Sequence, residues 1–206
     1  MSITKAMGVA RKVPQKRRAS DHYATPHSCT VALLREEFKF LSAHGVVWEP
    51  AVGKGPIKII LEAAGLKVVS SDIVDRGVDG VVIQSFYDFD QPLGAALAIV
   101  TNPPFGSRAP EKFVRHAYRI GISYVALFLK ANYFNAQERL ALFDFWAPCA
   151  IYPMTWRPDW TGDGSPTMDM SWYVWDLNRR GQVFRPLPYP TMITPDGNNY
   201  TLKLGD

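Results

Sequence analysis

Hydrophobic residues along this chain fall into two kinds of segment that follow one another in turn. Short, almost continuous apolar runs, rich in β-branched residues, are typical of strands buried on both faces. Amphipathic segments with apolar residues three and four positions apart lie between them and predict helices. The strands are predicted at residues 46–48, 67–70, 78–83, 95–101, 124–129, 150–154 and 171–175. The helices are predicted at residues 31–41, 57–64, 110–120 and 136–146.

This order of elements predicts an α/β protein, in which a mostly parallel sheet carries helices on both faces. The length of 206 residues suits a single domain. Ligands of such sheets bind beyond the carboxyl ends of the strands. The residues that follow each strand are therefore the first candidates for chemistry.

Composition narrows the setting in which the protein works. No stretch approaches the ~18 uncharged apolar residues of a membrane-spanning helix. The two cysteines, Cys29 and Cys149, form neither a metal-binding motif nor a disulfide framework. These features predict a cytoplasmic protein without a membrane partner and without a metal site.

The formal net charge of +4 comes from one end of the chain. Residues 1–20 hold six basic residues and no acidic one, namely Lys5, Arg11, Lys12, Lys16, Arg17 and Arg18. The remainder has 17 basic and 19 acidic residues. Residues 1–19 are therefore predicted to form a disordered basic arm, and residues 20–206 the folded domain. The arm either contacts nucleic-acid phosphates or only keeps the protein in solution.

The fourth predicted strand ends in the most informative motif, Asn102-Pro103-Pro104-Phe105. Prolines lack an N–H group and restrict φ, so this loop offers carbonyl groups in a stiff frame. The amide oxygen of Asn102 and the carbonyl of Pro103 can both accept hydrogen bonds from one NH2 group. Such acceptors stabilise the positive charge that develops when the nitrogen attacks an electrophile. Phe105 can stack on a flat group. A rigid loop that only ends the strand would account for the two prolines but not for Asn102 and Phe105 on either side of them.

Two other strand ends carry candidate ligand-binding residues. Residues 49–55, of sequence Glu-Pro-Ala-Val-Gly-Lys-Gly, follow the first strand, and their glycines let the backbone approach a ligand closely. They lack the third glycine of the dinucleotide fingerprint and the Gly-Lys-Ser/Thr of a P-loop. Asp72 follows the second strand, where a carboxylate can accept hydrogen bonds from ribose hydroxyls or can form a turn.

These motifs resemble the class I S-adenosylmethionine-dependent amino-methyltransferases, and within them the adenine-N6 DNA methyltransferases, over most of residues 21–177. The resemblance implies S-adenosylmethionine as the cofactor and a catalytic motif formed by Asn102, Pro103, Pro104 and Phe105. It implies a methionine-binding turn that consists of Glu49, Pro50, Ala51, Gly53 and Gly55. It assigns the cofactor ribose to Asp72 with Ile73, and the cofactor adenine to Asp88 and Phe89, with Asp90 as an alternative to Asp88. Tyr23, Thr25 and Pro26 match an element that closes over the methionine end.

The resemblance also implies a Rossmann-like sheet of seven strands whose last strand, at residues 171–175, is antiparallel. In this branch any target-recognition domain follows the catalytic domain, and residues 178–206 are too few to form one. Recognition of the target sequence is therefore weak, is supplied by the arm and the short insert at residues 157–169, or depends on a separate specificity partner.

The function implied is methylation of adenine N6 in DNA by a bacterial or phage-encoded enzyme, such as one of a restriction-modification system. The target base must leave the helical stack to reach the cofactor. Candidate phosphate contacts are Lys112, Arg115 and Arg119 on one predicted helix face and Arg157 in the insert, although solvated basic faces are common. Trp156 and Trp160 are candidates for lining the base pocket. No histidine is needed, and His22, His27, His44 and His116 are expected at the surface.

Two alternatives stay open on the residues alone. Methyltransferases that act on RNA bases or on protein glutamine side chains carry nearly the same tetrapeptide. A protein of the same fold that only binds nucleic acid through its arm is the second alternative.

Overall fold

The computed structural model describes residues 24–104, 108–160, 164, 166–190, 194–196 and 199–201. Its helices are α1 (His27–Ala43), α2 (Pro56–Ala63), α3 (Ala109–Arg119) and α4 (Leu140–Phe145). Its strands are β1 (Val46–Glu49), β2 (Lys67–Asp72), β3 (Val81–Ile83), β4 (Ala96–Thr101), β5 (Tyr124–Lys130), β6 (Ala150–Pro153), β7 (Met170–Asp176), β8 (Val183–Phe184), β9 (Thr194–Asp196) and β10 (Asn199–Thr201). The predicted arm at residues 1–19 lies outside the described residues.

One sheet holds eight strands in the order β3-β2-β1-β4-β5-β7-β6-β8, and β9 and β10 form a separate hairpin. The strands run parallel except β7, which is antiparallel to both β5 and β6. The predicted Rossmann-like, mostly parallel sheet is confirmed. The predicted number of seven strands is wrong, because β8 pairs with the edge of β6 that would otherwise present unpaired backbone groups.

The new edge of the sheet is closed by proline. Backbone N–H groups of Val183, Arg185 and Leu187 donate to carbonyls of β6 and the residue before it, at 2.8–3.1 Å. Pro186 and Pro188 occupy the alternate positions, whose N–H groups would otherwise face the open side. Since proline has no N–H to donate, this edge resists the addition of a further strand.

Helices cover the sheet on both faces, as predicted. Apolar side chains of α1 and α2, such as Leu33 and Ile60, pack on one face, and those of α3 and α4, such as Phe113 and Leu142, pack on the other. The helix predicted at residues 136–146 is shorter than expected: a 3₁₀ turn at Gln137–Arg139 precedes α4. No helix of the described residues is long and apolar enough to span a bilayer.

A buried carboxylate connects α1 to the sheet. Glu37 is fully buried and accepts hydrogen bonds from the hydroxyls of Tyr124 and Tyr152, at 3.0 and 2.6 Å. The Arg179 guanidinium reaches both of its carboxylate oxygens at 2.7 Å. A buried charge is tolerated only when it is paired and hydrogen-bonded, and this network satisfies both needs.

The expected surface location of the histidines is wrong for two of them. His44 is buried, with Nδ1 3.2 Å from Ser123 Oγ and Nε2 3.7 Å from a carboxylate oxygen of Asp176. His116 is buried against the 3₁₀ turn that follows β3, and its Nδ1 accepts a hydrogen bond from Arg119. Burial and the positive charge of Arg119 lower the pKa of His116. Both rings are buried by residues that are distant in sequence, which the spacing of residues along the chain does not report.

Candidate active site

The first strand of the site ends in a turn built on two glycines. β1 ends at Glu49, and the chain reverses through Gly53 and Gly55, whose φ angles are 58° and 82°. Side chains are strained at such positive φ, so these positions favour glycine. Pro56 then opens α2 at the helix position that needs no N–H donor. The turn lies at the carboxyl edge of the sheet, where Gly53 and Gly55 are buried and Lys54 is exposed.

Asp72, the last residue of β2, holds this turn in place. One carboxylate oxygen accepts the N–H of Gly53 at 2.8 Å, and the other accepts the N–H of Val74 at 3.0 Å. The side chain is 8% exposed. Each carboxylate oxygen retains a second lone pair, so Asp72 can still accept hydrogen bonds from two ligand hydroxyls.

Glu49 is a buried carboxyl group beside the same turn. It is 1% exposed, and its Oε2 has no hydrogen-bond partner among the described residues. Burial raises the pKa of Glu49 well above its ordinary value of 4.5, and the negative charge of Asp72 adds to this effect. A buried acid with an unused oxygen is suited to bind a cation, which would compensate the cost of ionisation.

We expect the Glu49→Gln variant to reduce the pH dependence of stability. Because the native pKa is raised, the folded state binds the Glu49 proton more tightly than the unfolded state does, and the free energy of unfolding falls as pH rises above about 4.5. Glutamine does not titrate, so unliganded Glu49→Gln should lack this loss of stability between pH 5 and pH 8. Urea unfolding at a series of pH values from 5 to 8 gives the free energy of unfolding of both proteins. An equal change of this free energy with pH in both proteins would contradict the prediction.

Apolar and acidic side chains follow β2 and β3 at the same edge. Ile73 is 70% exposed, which is unusual for a large aliphatic side chain next to a buried acid. Phe89 is half-buried, with its ring edge-on to Trp48 at 4.8 Å between centroids. Asp88 and Asp90 flank it and are both exposed, so the choice between them stays open.

Asn102 follows β4, and the two ends of its side-chain amide have different surroundings. Its Nδ2 donates to Thr25 Oγ1 at 3.1 Å, whereas its Oδ1 is buried and has no partner among the described residues. The fold therefore brings two predicted elements together across 77 positions of sequence. Pro103 is buried and Pro104 is exposed. Tyr23 and Phe105, which belong to the same two elements, lie outside the described residues.

No protein-family model and no curated protein sequence matches this chain. Solved structures do match it. A candidate RNA methyltransferase from Pyrococcus horikoshii has a TM-score of 0.61 at 17% identity, over 76% of this chain and 87% of that chain. A candidate class I S-adenosylmethionine-dependent methyltransferase from Listeria monocytogenes has a TM-score of 0.58 at 13% identity, over 84% and 68% of the two chains. A type I restriction-modification methyltransferase subunit from Streptococcus thermophilus has a TM-score of 0.55 at 12% identity, over 88% of this chain and 50% of that chain.

The chain has the fold of the class I S-adenosylmethionine-dependent methyltransferases. At such identities the likeness shows the fold alone. This chain spans about half of the restriction-modification subunit that it matches.

Within this methyltransferase fold, the predicted basic stripe on α3 does not act as one surface. The guanidinium of Arg115 donates to Glu111 and to the carbonyl of Ala141, both at 2.9 Å, and so helps to join α3 to α4. Arg119 binds His116 at the end of α3, about 15 Å along the helix from the carboxyl edge of the sheet. Of the three predicted basic residues, Lys112 is the one that lies exposed in the first turns of α3.

The connection from β6 to β7 also reaches the carboxyl edge. Arg157 forms an exposed ion pair with Asp169 at 2.8 Å, and such pairs are weak enough for a phosphate to replace. Trp160 is half-buried against Phe128, with 5.9 Å between ring centroids, and Trp156 packs on Tyr189. The two tryptophans therefore contribute to packing.

The sequence-based search missed the residues that follow β5. A cleft of about 280 Å³ opens at the carboxyl edge, and its lining consists of Lys130, Ala131, Asn132, Thr167, Met168 and Asp169. Lys130 follows a predicted strand and so is expected at this edge, but no sequence motif distinguishes residues 130–132 as part of a site. No group of His, Cys, Asp and Glu among the described residues is arranged to hold a metal ion.

Proposed function

We propose that this protein transfers a methyl group from S-adenosylmethionine to an amino nitrogen, with adenine N6 of DNA as the substrate. The buried and unpartnered Oδ1 of Asn102 carries the proposal. A buried acceptor without a partner costs about 1–3 kcal/mol, so its retention at a strand end indicates a donor that arrives with the substrate.

The residues around the glycine turn fit the proposed cofactor. Bound S-adenosylmethionine supplies a methyl group on a positively charged sulfonium centre. Asp72 has acceptor capacity for the ribose hydroxyls, and the buried Glu49 is suited to the positively charged amino-acid end. Exposed Ile73 lies beside Asp72, and Phe89 would face the adenine ring, with Asp88 or Asp90 near its amino group.

The loop that follows β4, residues 102–105, is here called the catalytic loop, and it would act on the substrate amine. Asn102 Oδ1 and the Pro103 carbonyl accept its two hydrogens, which orients the lone pair of the nitrogen and stabilises the charge that it gains. The proton leaves only after the nitrogen has become cationic, so no strong base is required. Phe105 would stack on the flat base, and Tyr23 and Pro26 would help to enclose the cofactor.

The choice of DNA is supported by the resemblance of the tetrapeptide, by the basic arm and by structural similarity to a restriction-modification methyltransferase subunit. A flipped adenine would enter beside Asn102, with Lys112 and Arg157 as phosphate contacts. Residues 20–206 would then act as the catalytic domain, and the similarity to a restriction-modification subunit leads us to propose a separate specificity partner.

Incubation with radiolabelled S-adenosylmethionine and separate pools of DNA, RNA and protein tests this function. We expect label in DNA, and N6-methyldeoxyadenosine in the nucleosides when they are analysed by mass spectrometry. Label confined to RNA or to protein glutamine would replace DNA with that substrate. An unlabelled result in all pools, with cofactor bound, would favour a binding protein over an enzyme.

Deletion of residues 1–19 tests the role of the arm. If its six basic residues contact phosphates, the deletion should weaken DNA affinity and reduce the slope of log affinity against log salt by up to about six counterions. Fluorescence anisotropy of labelled DNA, measured from about 50 to about 300 mM salt, gives this slope. An unchanged slope would make the arm a solubilising leader.

A further inference from the structure

The hydroxyl of Thr25 contacts the candidate catalytic amide from outside the catalytic loop. Thr25 is 3% exposed and lies two residues before α1, next to the N-cap Pro26. Its Oγ1 accepts a hydrogen bond from Asn102 Nδ2 at 3.1 Å, while the Oδ1 of the same amide stays without a partner in the described part of the chain. One end of the amide is held, and the other end is left for a ligand.

The backbone around Thr25 is tied to the sheet. The carbonyl of Pro26 accepts the N–H of Cys29 at 3.0 Å in the first turn of α1. The carbonyl of Cys29 in turn accepts the indole N–H of the fully buried Trp172 on β7, at 2.9 Å. The segment that follows Thr25 is therefore anchored to the core of the protein by contacts outside the loop that carries Asn102.

The orientation of an asparagine amide needs such support, because the terminal torsion of asparagine is broad and nearly two-fold. Rotation by half a turn would present the NH2 group of Asn102 to the substrate amine, and two donors would then face each other. In this structure Thr25 Oγ1 accepts the hydrogen bond from the NH2 end, so the carbonyl oxygen of Asn102 is directed away from Thr25.

We infer that Thr25 is a positioning residue that holds the NH2 end of Asn102, so that Oδ1 faces the amine to be methylated. The inference rests on the proposed function and adds to it. It also differs from the role that the sequence resemblance implied for Thr25, which was to enclose the cofactor.

Three variants test this inference. Thr25→Val removes the hydroxyl but keeps the shape, and Thr25→Ser restores the hydroxyl. Thr30→Val is a matched control, because Thr30 lies on α1, is fully buried, and its hydroxyl has no hydrogen-bond partner among the described residues. We expect Thr25→Val to lower kcat by about 10- to 100-fold with little change in KM or in cofactor affinity. Thr25→Ser should recover most of the loss, and Thr30→Val should retain wild-type kcat.

A double-mutant cycle separates positioning from general structural damage. If Thr25 acts through Asn102, adding Thr25→Val to Asn102→Ala should cause no further loss of residual activity. The same loss in both backgrounds would overturn the inference, and so would a Thr25→Val protein that loses cofactor affinity while keeping kcat.

A measurement without turnover keeps this inference distinct from the proposed function. The side-chain NH2 signals of Asn102, assigned by their absence in Asn102→Ala, should shift and exchange faster with solvent in Thr25→Val but not in Thr25→Ser. Signals that do not respond to Thr25→Val would overturn the inference. If they respond but the wild-type protein methylates none of the pools, the hydrogen bond is supported and the proposed function is wrong.

Discussion

Replacement of Asn102 with alanine should abolish most methyl transfer while S-adenosylmethionine still binds. The amide oxygen is the buried acceptor at the end of β4, and its contribution is made when the substrate nitrogen becomes positively charged. Loss of one such preorganised group lowers kcat by about 10²–10³-fold in comparable sites. The cofactor-binding turn is formed by other residues, so its affinity should change little.

Initial rates with labelled cofactor measure the loss, and calorimetry measures cofactor affinity on the same samples. Asn178→Ala is the matched control, because Asn178 is exposed and follows β7, which ends at the opposite edge of the sheet. A variant Asn102→Ala that methylates at the parent rate would contradict the role of the amide. A variant that also loses the cofactor would place Asn102 in the cofactor site instead.

Replacement of Asp72 with alanine should weaken cofactor affinity by at least about 100-fold. Hydrogen bonds to a charged acceptor contribute about 1.5–3 kcal/mol each, and two ribose hydroxyls would lose theirs. The same substitution leaves the N–H groups of Gly53 and Val74 without their acceptor, so the free energy of unfolding should fall by about 1–3 kcal/mol. Calorimetry with S-adenosylmethionine and urea unfolding measure the two effects separately.

The 2′-deoxy analogue of the cofactor distinguishes a lost ribose contact from a distorted turn. It should bind the wild-type protein more weakly than S-adenosylmethionine does, whereas Asp72→Ala should bind both equally. Asp75→Ala is the control, since Asp75 also accepts a backbone N–H, that of Gly77 at 2.9 Å, but in an exposed turn. Equal discrimination by wild type and Asp72→Ala would show that Asp72 only shapes the turn.

The local pattern of apolar residues was sufficient to predict the main strands of the sheet, the helices that cover it, and the motifs at the strand ends. Buried parallel strands read as apolar runs, and the asparagine and prolines after β4 stand at the carboxyl edge as expected. The helix predicted at residues 136–146 is too long, because the apolar spacing is helical throughout but only α4 is α-helical and a 3₁₀ turn precedes it. β8 was missed, because two exposed residues between glycine and proline carry no strand pattern.

The sequence by itself determined the order of the elements, the stiff loop at Asn102 and the turn before α2, because each depends on neighbouring residues and on the backbone limits of glycine and proline. Only the tertiary structure decided which groups meet. Packing between distant segments placed Thr25 against Asn102, gave Glu49 an unpartnered buried oxygen, and directed Arg115 and Arg119 into contacts with Ala141 and His116. Periodicity reports which face of an element is apolar, but the partner of a side chain is set by residues that are distant in sequence and close in space.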